Sequence, residues 1–194
     1  MSKLSRNDLM SLEEYSRARS DFRHQVMAHK KNRLVRLHEH AALYFEDRLT
    51  MQYQIQEMLR IEKVFEADGI QEELDVYNPL IPDGSNWKAT FMLEYPDVEE
   101  RKQMLARLIG IEDKVWVRVG DMDKVYPIAN EDLERTTEEK TSSVHFLRFE
   151  LSDEMVAAAK QGAAISMGID HAELSVEVSP IAADAAASLV KDLQ

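Results

Sequence analysis

Between Phe45 and Phe65 the apolar positions recur on two opposite sides of a 3.6-residue repeat. Met51, Ile55, Met58 and Phe65 fall together with Glu62, while Leu49, Tyr53 and Val64 fall on the other side with Gln56 and Arg60. A helix wetted along one face does not carry this pattern, so the segment is predicted to be sandwiched between other elements. Gln54, Gln56, Glu57, Arg60 and Glu62 then lie close to the core, where each needs a hydrogen-bond or charge partner. Asp47 is placed to cap this helix, and Gly69 is expected just past its end.

The same reading divides the rest of the chain. Leu9, Leu12, Tyr15, Phe22 and Val26 have helical spacing, and Lys30, Lys31 and Arg33 suit the C-terminal end of that helix. Val35, Leu37, Leu43 and Phe45 alternate, which predicts a hairpin turning near Glu39-His40, against a rival helix from His38 onward. A helical turn is expected over 71–76. Pro79, Pro82, Asp83 and Gly84 then make a loop whose Leu80 and Ile81 are apolar enough to fold down over something. Strands are predicted at 88–95, 114–119, 124–128, 143–151, 164–170 and 173–178. Helices are predicted from Asp97 to Gly110, from Ser152 to Gln161 and from Ala182 to the end, with a capped helical turn over Asn130–Arg135. Short turns between strands imply an antiparallel sheet, so the expected fold is α+β: a mostly antiparallel sheet packed against a long central helix, with an N-terminal helical arm.

Composition narrows the classes. The 194 residues suit one domain, read here as a basic arm over 1–40 and an acidic body over 41–194. The arm carries net +4 within a chain of formal charge −12, leaving −16 on the body. An overall acidic chain is a poor nucleic-acid binder. Neither a membrane-spanning run nor a signal-peptide core is evident, which makes the cytoplasm the expected compartment. There is no cysteine, so thiolate metal sites, disulfides and cysteine-held iron–sulfur clusters cannot be supplied by this chain. The six glycines are too dispersed for a dinucleotide or P-loop motif, and neither NAD nor ATP is expected.

The candidate chemistry is carried by histidines, carboxylates and arginines. His145 shares a strand face with Leu147, Phe149 and Leu151, and His171 ends a face carrying Ile165, Met167 and Ile169. With Glu57 or Glu62 at one end of the sheet they would form an acid–base pair, Glu57 and His145, or a divalent-metal site of His145, His171 and Glu62. The competing reading is a pair of core or sheet-edge histidines with satisfied hydrogen bonds. Arg48, Arg60, Lys140 and Arg148 are candidates for a clamp on a small anion, against simple pairing with Glu57, Glu62, Glu131 or Glu134. Lys30, Lys31 and Arg33 are the candidate partner-binding residues of the arm.

The segments His29-Lys30-Lys31, Phe45 to Arg48, Tyr53 to Arg60, Tyr77 to Gly84 and Lys140 to Leu151 resemble those of a bacterial family classed as a domain of unknown function, over almost the whole chain. The resemblance transfers no catalytic residue. It implies company, because relatives are often encoded near rubrerythrin-like and iron–sulfur proteins. Two expectations follow. One is an accessory, partner-binding protein of a redox or peroxide-stress system with no redox centre of its own, for which a homodimer is compatible. The other is a metal-dependent or acid–base enzyme, or metal-binding protein, acting on a small anionic ligand between helix and sheet.

Overall fold

The computed structural model describes residues 2–194. All its strand pairs are antiparallel, and they form two sheets rather than one. Strands β1 (Leu34–His38), β2 (Ala41–Phe45), β3 (Asn86–Leu93), β5 (Ile128–Ala129) and β6 (Val144–Glu150) make a five-stranded sheet in the order β1-β2-β3-β6-β5. Strands β4 (Val115–Val119), β7 (Ile165–His171) and β8 (Leu174–Val178) make a three-stranded one in the order β4-β7-β8. Alternation places Leu43, Phe45, Trp87, Phe91, Leu147 and Phe149 on the inner face of the larger sheet. They share one core with Val115, Val117, Ile165, Met167 and Ile169 of the smaller. Helices α5 (Asp153–Lys160) and α6 (Ala183–Val190) join that core through Val156, Ala159, Ala185 and Leu189. The Trp87 indole N–H donates to the Leu189 carbonyl at 2.9 Å. Helix α4 (Val98–Arg107) starts at Asp97, whose carboxylate accepts from the Glu100 amide.

A second core belongs to the helices α1 (Leu12–Lys31), α2 (Arg48–Glu62) and α3 (Ala67–Tyr77). Met51, Ile55 and Leu59 of α2 pack with Leu4, Leu74 and Ile81, which is where the apolar 78–84 loop folds down. On the opposite side Tyr53 meets Phe22 of α1 at a centroid distance of 6.1 Å. The two-faced pattern therefore arises because α2 lies between α1 and α3. Gln56, fully buried, is satisfied by the backbone of Met10, accepting from its N–H at 2.6 Å and donating to its carbonyl at 3.2 Å. This helical layer meets the outer face of the larger sheet. Thr50 and Thr90 both donate to the buried Glu46, and the Lys88 ammonium donates to the Pro79 carbonyl.

Four local expectations are corrected. Helix α2 ends at Glu62, not at Gly69, because Lys63 turns left-handed at φ 55° and the Val64 N–H closes onto the Leu59 carbonyl. Gly69 instead lies inside α3, where a Cβ would stand 2.7 Å from Val64 Cγ1, so the Val64 side chain would have to shift to admit one. The turn expected over 71–76 is part of the longer α3. Residues 130–135 form no helix: Asn130 is left-handed at φ 52°, and its side chain accepts from the Phe146 amide instead of capping. The expected strand 124–128 reduces to a Val117–Val125 bridge and the short β5. Among the described residues, no helix is long and apolar enough to cross a membrane.

Candidate functional site

On the outer face of the larger sheet, β3 and β6 pair so that Lys88 stands directly opposite Arg148. Like charges in that position repel, and carboxylates gather around them. The Lys88 ammonium, almost fully buried, reaches the Pro79 carbonyl at 2.6 Å and Asp83 at 2.9 Å. Arg148 makes a two-pronged contact with Glu131, at 2.8 and 2.7 Å, and binds Glu150 through its other terminal nitrogen. The Arg148 guanidinium holds Glu131 below the usual carboxylate range, and Glu131, then Glu150, raise Arg148 in turn. Burial alone would raise Asp83, but hydrogen bonds from Lys3, Lys88 and Asn86 outweigh it and leave the group well below its ordinary value.

Helix α3 and the turn after it overhang these cations. The space between is a cleft of about 520 Å³, with Asp75, Val76, Tyr77, Pro79 and Leu80 on the helical side, Lys88, Phe146 and Arg148 on the sheet side, and Glu131, Asp132 and Arg135 completing the lining. Arg135 lies with its guanidinium 4.6 Å from the Phe146 ring centroid and pairs with Asp132 at 2.5 Å. The arrangement combines apolar walls with a few convergent charged groups, the common make-up of a small-molecule site. A groove of about 530 Å³ along α1 is lined by that helix alone, so no second element shapes it.

His145 lies on the inner face of the sheet, fully buried, at the end of a polar chain. Asn130 Oδ1 accepts from the Phe146 amide at 3.2 Å, which turns its Nδ2 towards His145 Nδ1 at 2.9 Å. That nitrogen therefore accepts, and Nε2 carries the proton, facing the Ser142 carbonyl at 3.0 Å and the Thr141 hydroxyl at 2.9 Å. Thr141 donates onward to Glu112 at 3.2 Å, and Thr136 also donates to Glu112. Burial lowers the imidazole pKa, against the pull of Glu112 whose carboxylate is 3.8 Å away. The ring is a neutral link in a satisfied network. Glu112 lines an open depression of about 730 Å³ on the far side.

The other sequence candidates are dispersed. Glu57 sits between α1 and α2, accepting from both prongs of Arg19 at 2.7 and 2.8 Å, from Tyr15 at 2.7 Å and from Arg60 at 3.3 Å. Arg19 above all, with Tyr15 and Arg60, holds it at about 2 against a burial penalty, so it is a weak base. Glu57 and His145 are thus in separate layers and do not form the expected pair. Glu62 is exposed at the end of α2, and His171 faces the Ile109 carbonyl at 3.2 Å from the end of β7. Among the described residues no group of three His, Asp or Glu could hold a metal ion, so the expected set of His145, His171 and Glu62 is not assembled.

The expected anion clamp is likewise not assembled: of its four residues only Arg148 reaches the cleft. Arg48 pairs with Asp8 at 2.5 Å, Arg60 with Glu57, and Lys140 is exposed in a turn. Lys88, which sequence reasoning missed, takes the second cationic place. Its signal was the register of two strands distant in sequence. Arg33 is buried, donating to the carbonyls of Phe45 and Glu46 at 3.0 Å each and pairing with Asp192 at 2.6 Å, which removes it from any partner surface. Lys31 is exposed, and Lys30 lies 5.9 Å from the Tyr53 ring centroid.

A family model described as "Protein of unknown function (DUF3501)" matches residues 3–193. A solved structure of a protein of unknown function from Burkholderia pseudomallei K96243, a crystal structure at 1.90 Å resolution, is similar at 52% sequence identity and a TM-score of 0.93, covering 100% of both chains. No curated protein matches significantly.

Proposed function

The chain belongs to this family of proteins of unknown function, and on that premise we propose that it is an accessory binding protein whose recognition site is the cleft between α3 and the outer face of the larger sheet. The observation that carries the reading is the placement of Lys88 opposite Arg148 beneath the apolar overhang of Val76 and Leu80. Like charges directly opposite one another repel, and here Asp83, Glu131 and Glu150 hold them beneath apolar side chains, so the cleft offers paired charge that a ligand group can exchange with. The redox or peroxide-handling role implied by the family resemblance fits a chain without thiols. Such a protein acts through what it holds, presenting a ligand to a rubrerythrin-like or iron–sulfur partner, with Lys30 and Lys31 offering positive charge for an acidic partner surface. An enzymatic reading needs groups other than Glu57 and His145, since both are fully engaged in structural networks.

A fragment screen read by amide NMR tests the proposal. Binders are expected to move the signals of Val76, Leu80 and Phe146, and Val76→Trp, at a position exposed in the folded chain, is expected to block them by filling the mouth of the cleft. Fragments that map elsewhere, or that bind the Val76→Trp protein undiminished, would remove the cleft from consideration.

A further inference from the structure

We infer that the cleft selects a carboxylate: a small molecule with an apolar body and one terminal carboxylate, whose two oxygens take the place of Glu131 on Arg148. The inference rests on the cleft being the recognition site and adds the chemistry of its ligand. Glu131 itself shows the pose, since its carboxylate already meets two nitrogens of the Arg148 fork at 2.8 and 2.7 Å.

Glu131 is the exchangeable partner and Glu150 is not. The Glu131 side chain is half exposed, at 51%, and among the described residues Arg148 is its one hydrogen-bond donor. Glu150 stands on β6 and also accepts from Asn86 Nδ2 at 2.8 Å, so it is held from two sides. Exchanging one carboxylate for another leaves the charge on Arg148 matched, and the half-exposed Glu131 is solvated once released, which offsets part of the cost of parting a two-pronged pair. Lys88 stays in place, because the Pro79 carbonyl and Asp83 hold its ammonium, and Asp83 neutralises its charge. The apolar body then lies between Leu80 and Phe146, where burial supplies most of the affinity.

Calorimetric titration of the full chain with 3-phenylpropanoate and octanoate, each beside its neutral amide, tests this, with amide NMR locating the bound probe. At least one carboxylate is expected to bind at least tenfold more tightly than its amide. Arg148→Gln is expected to remove that preference and Arg148→Lys to restore part of it. Glu131→Gln is expected to tighten carboxylate binding several-fold by removing the internal competitor, an effect that a merely structural Glu131 would not produce. Equal binding of acid and amide within the cleft, unchanged by Arg148→Gln, would overturn the carboxylate assignment while leaving the cleft as a binding site. Absence of any cleft binding by all four probes would overturn the site and the assignment together. An amide spectrum of each variant that matches the parent away from residue 148 guards against misfolding as the cause.

Discussion

Gly168 stands directly across from Trp116 on the β4–β7 ladder, and the indole occupies the space that a side chain there would need. A Cβ at Gly168 would lie 2.5 Å from Trp116 Cζ2 and closer still to the Val176 carbonyl of the next strand. One of these neighbours is backbone held in a ladder, so it cannot move aside. Trp116 is itself fully buried, with the Lys124 ammonium 4.2 Å from its ring centroid. Gly168→Ala is therefore expected to destabilise the fold by about 1–3 kcal/mol, the usual range for overpacking. Urea unfolding measures it, and an unchanged midpoint would contradict the packing described.

Arg33 and Asp192 form a buried pair that ties the base of the β1–β2 hairpin to the segment after α6. Asp47 approaches the same guanidinium at 3.4 Å. Arg33→Ala leaves the buried Asp192 without its cation, while Asp47 keeps His29 at 2.6 Å, and is expected to cost about 3–5 kcal/mol. The pair also sets a pH dependence. Burial pushes Asp192 up to about 6, despite Arg33, from an ordinary value of 3.8. Between those two values the folded state holds a proton that the unfolded state releases, so this contribution to stability is fully present below about 3.8 and declines as pH rises through 6. Asp192→Asn should lack that decline. Parallel unfolding curves for parent and variant across pH 4 to 7 would show that Asp192 is not raised.

How much of this was legible before the fold depends on the range of the interaction. The alternation of 143–151 already separates His145 from Arg148, and β6 places them on opposite faces. Asp47 and Asp97 are recognisable as caps because capping acts over three residues. The end of α2 is not recognisable, because Lys63 adopts a left-handed conformation that glycine more often takes and Gly69 lies inside α3. The cleft was half visible. Arg148 and the apolar 78–84 loop can be picked from the sequence, whereas Lys88 acquires meaning only from its register with Arg148. Glu112, in a short turn outside any periodic segment, carries no local signal that it would close the His145 network.

Glu57 gives the opposite pH signature to Asp192. Its carboxylate is held at about 2 in the folded chain, chiefly by Arg19, against an ordinary value of 4.5. Its stabilisation is present above about 4.5 and is lost as pH falls through 2. Glu57→Gln keeps the shape and removes the charge that joins α1 to α2. A loss of roughly 1–3 kcal/mol at pH 7 is expected, together with a shallower acid limb in the unfolding profile. A variant as stable as the parent at pH 7 would mean that Arg19 and Tyr15 find equivalent partners without it.

His145 is expected to stay neutral, with its proton on Nε2, through the whole range in which an ordinary histidine titrates. Protonating Nδ1 would put an N–H against the Asn130 amide, which donates at 2.9 Å, and the amide cannot turn over without giving up the Phe146 N–H that its oxygen accepts. Burial opposes the charge as well, and Glu112 at 3.8 Å offsets that in part. Long-range nitrogen–proton correlation spectra of the imidazole, recorded from pH 5 to 8, resolve the tautomer directly. Shifts that move with a midpoint near 6.5 would show a chargeable ring and would make the Glu112–His145 pair a proton-transfer site open to the depression beside it. Fixed shifts with Nδ1 unprotonated would place His145 among the structural residues of β6, closing its network with Thr141, Asn130 and Glu112.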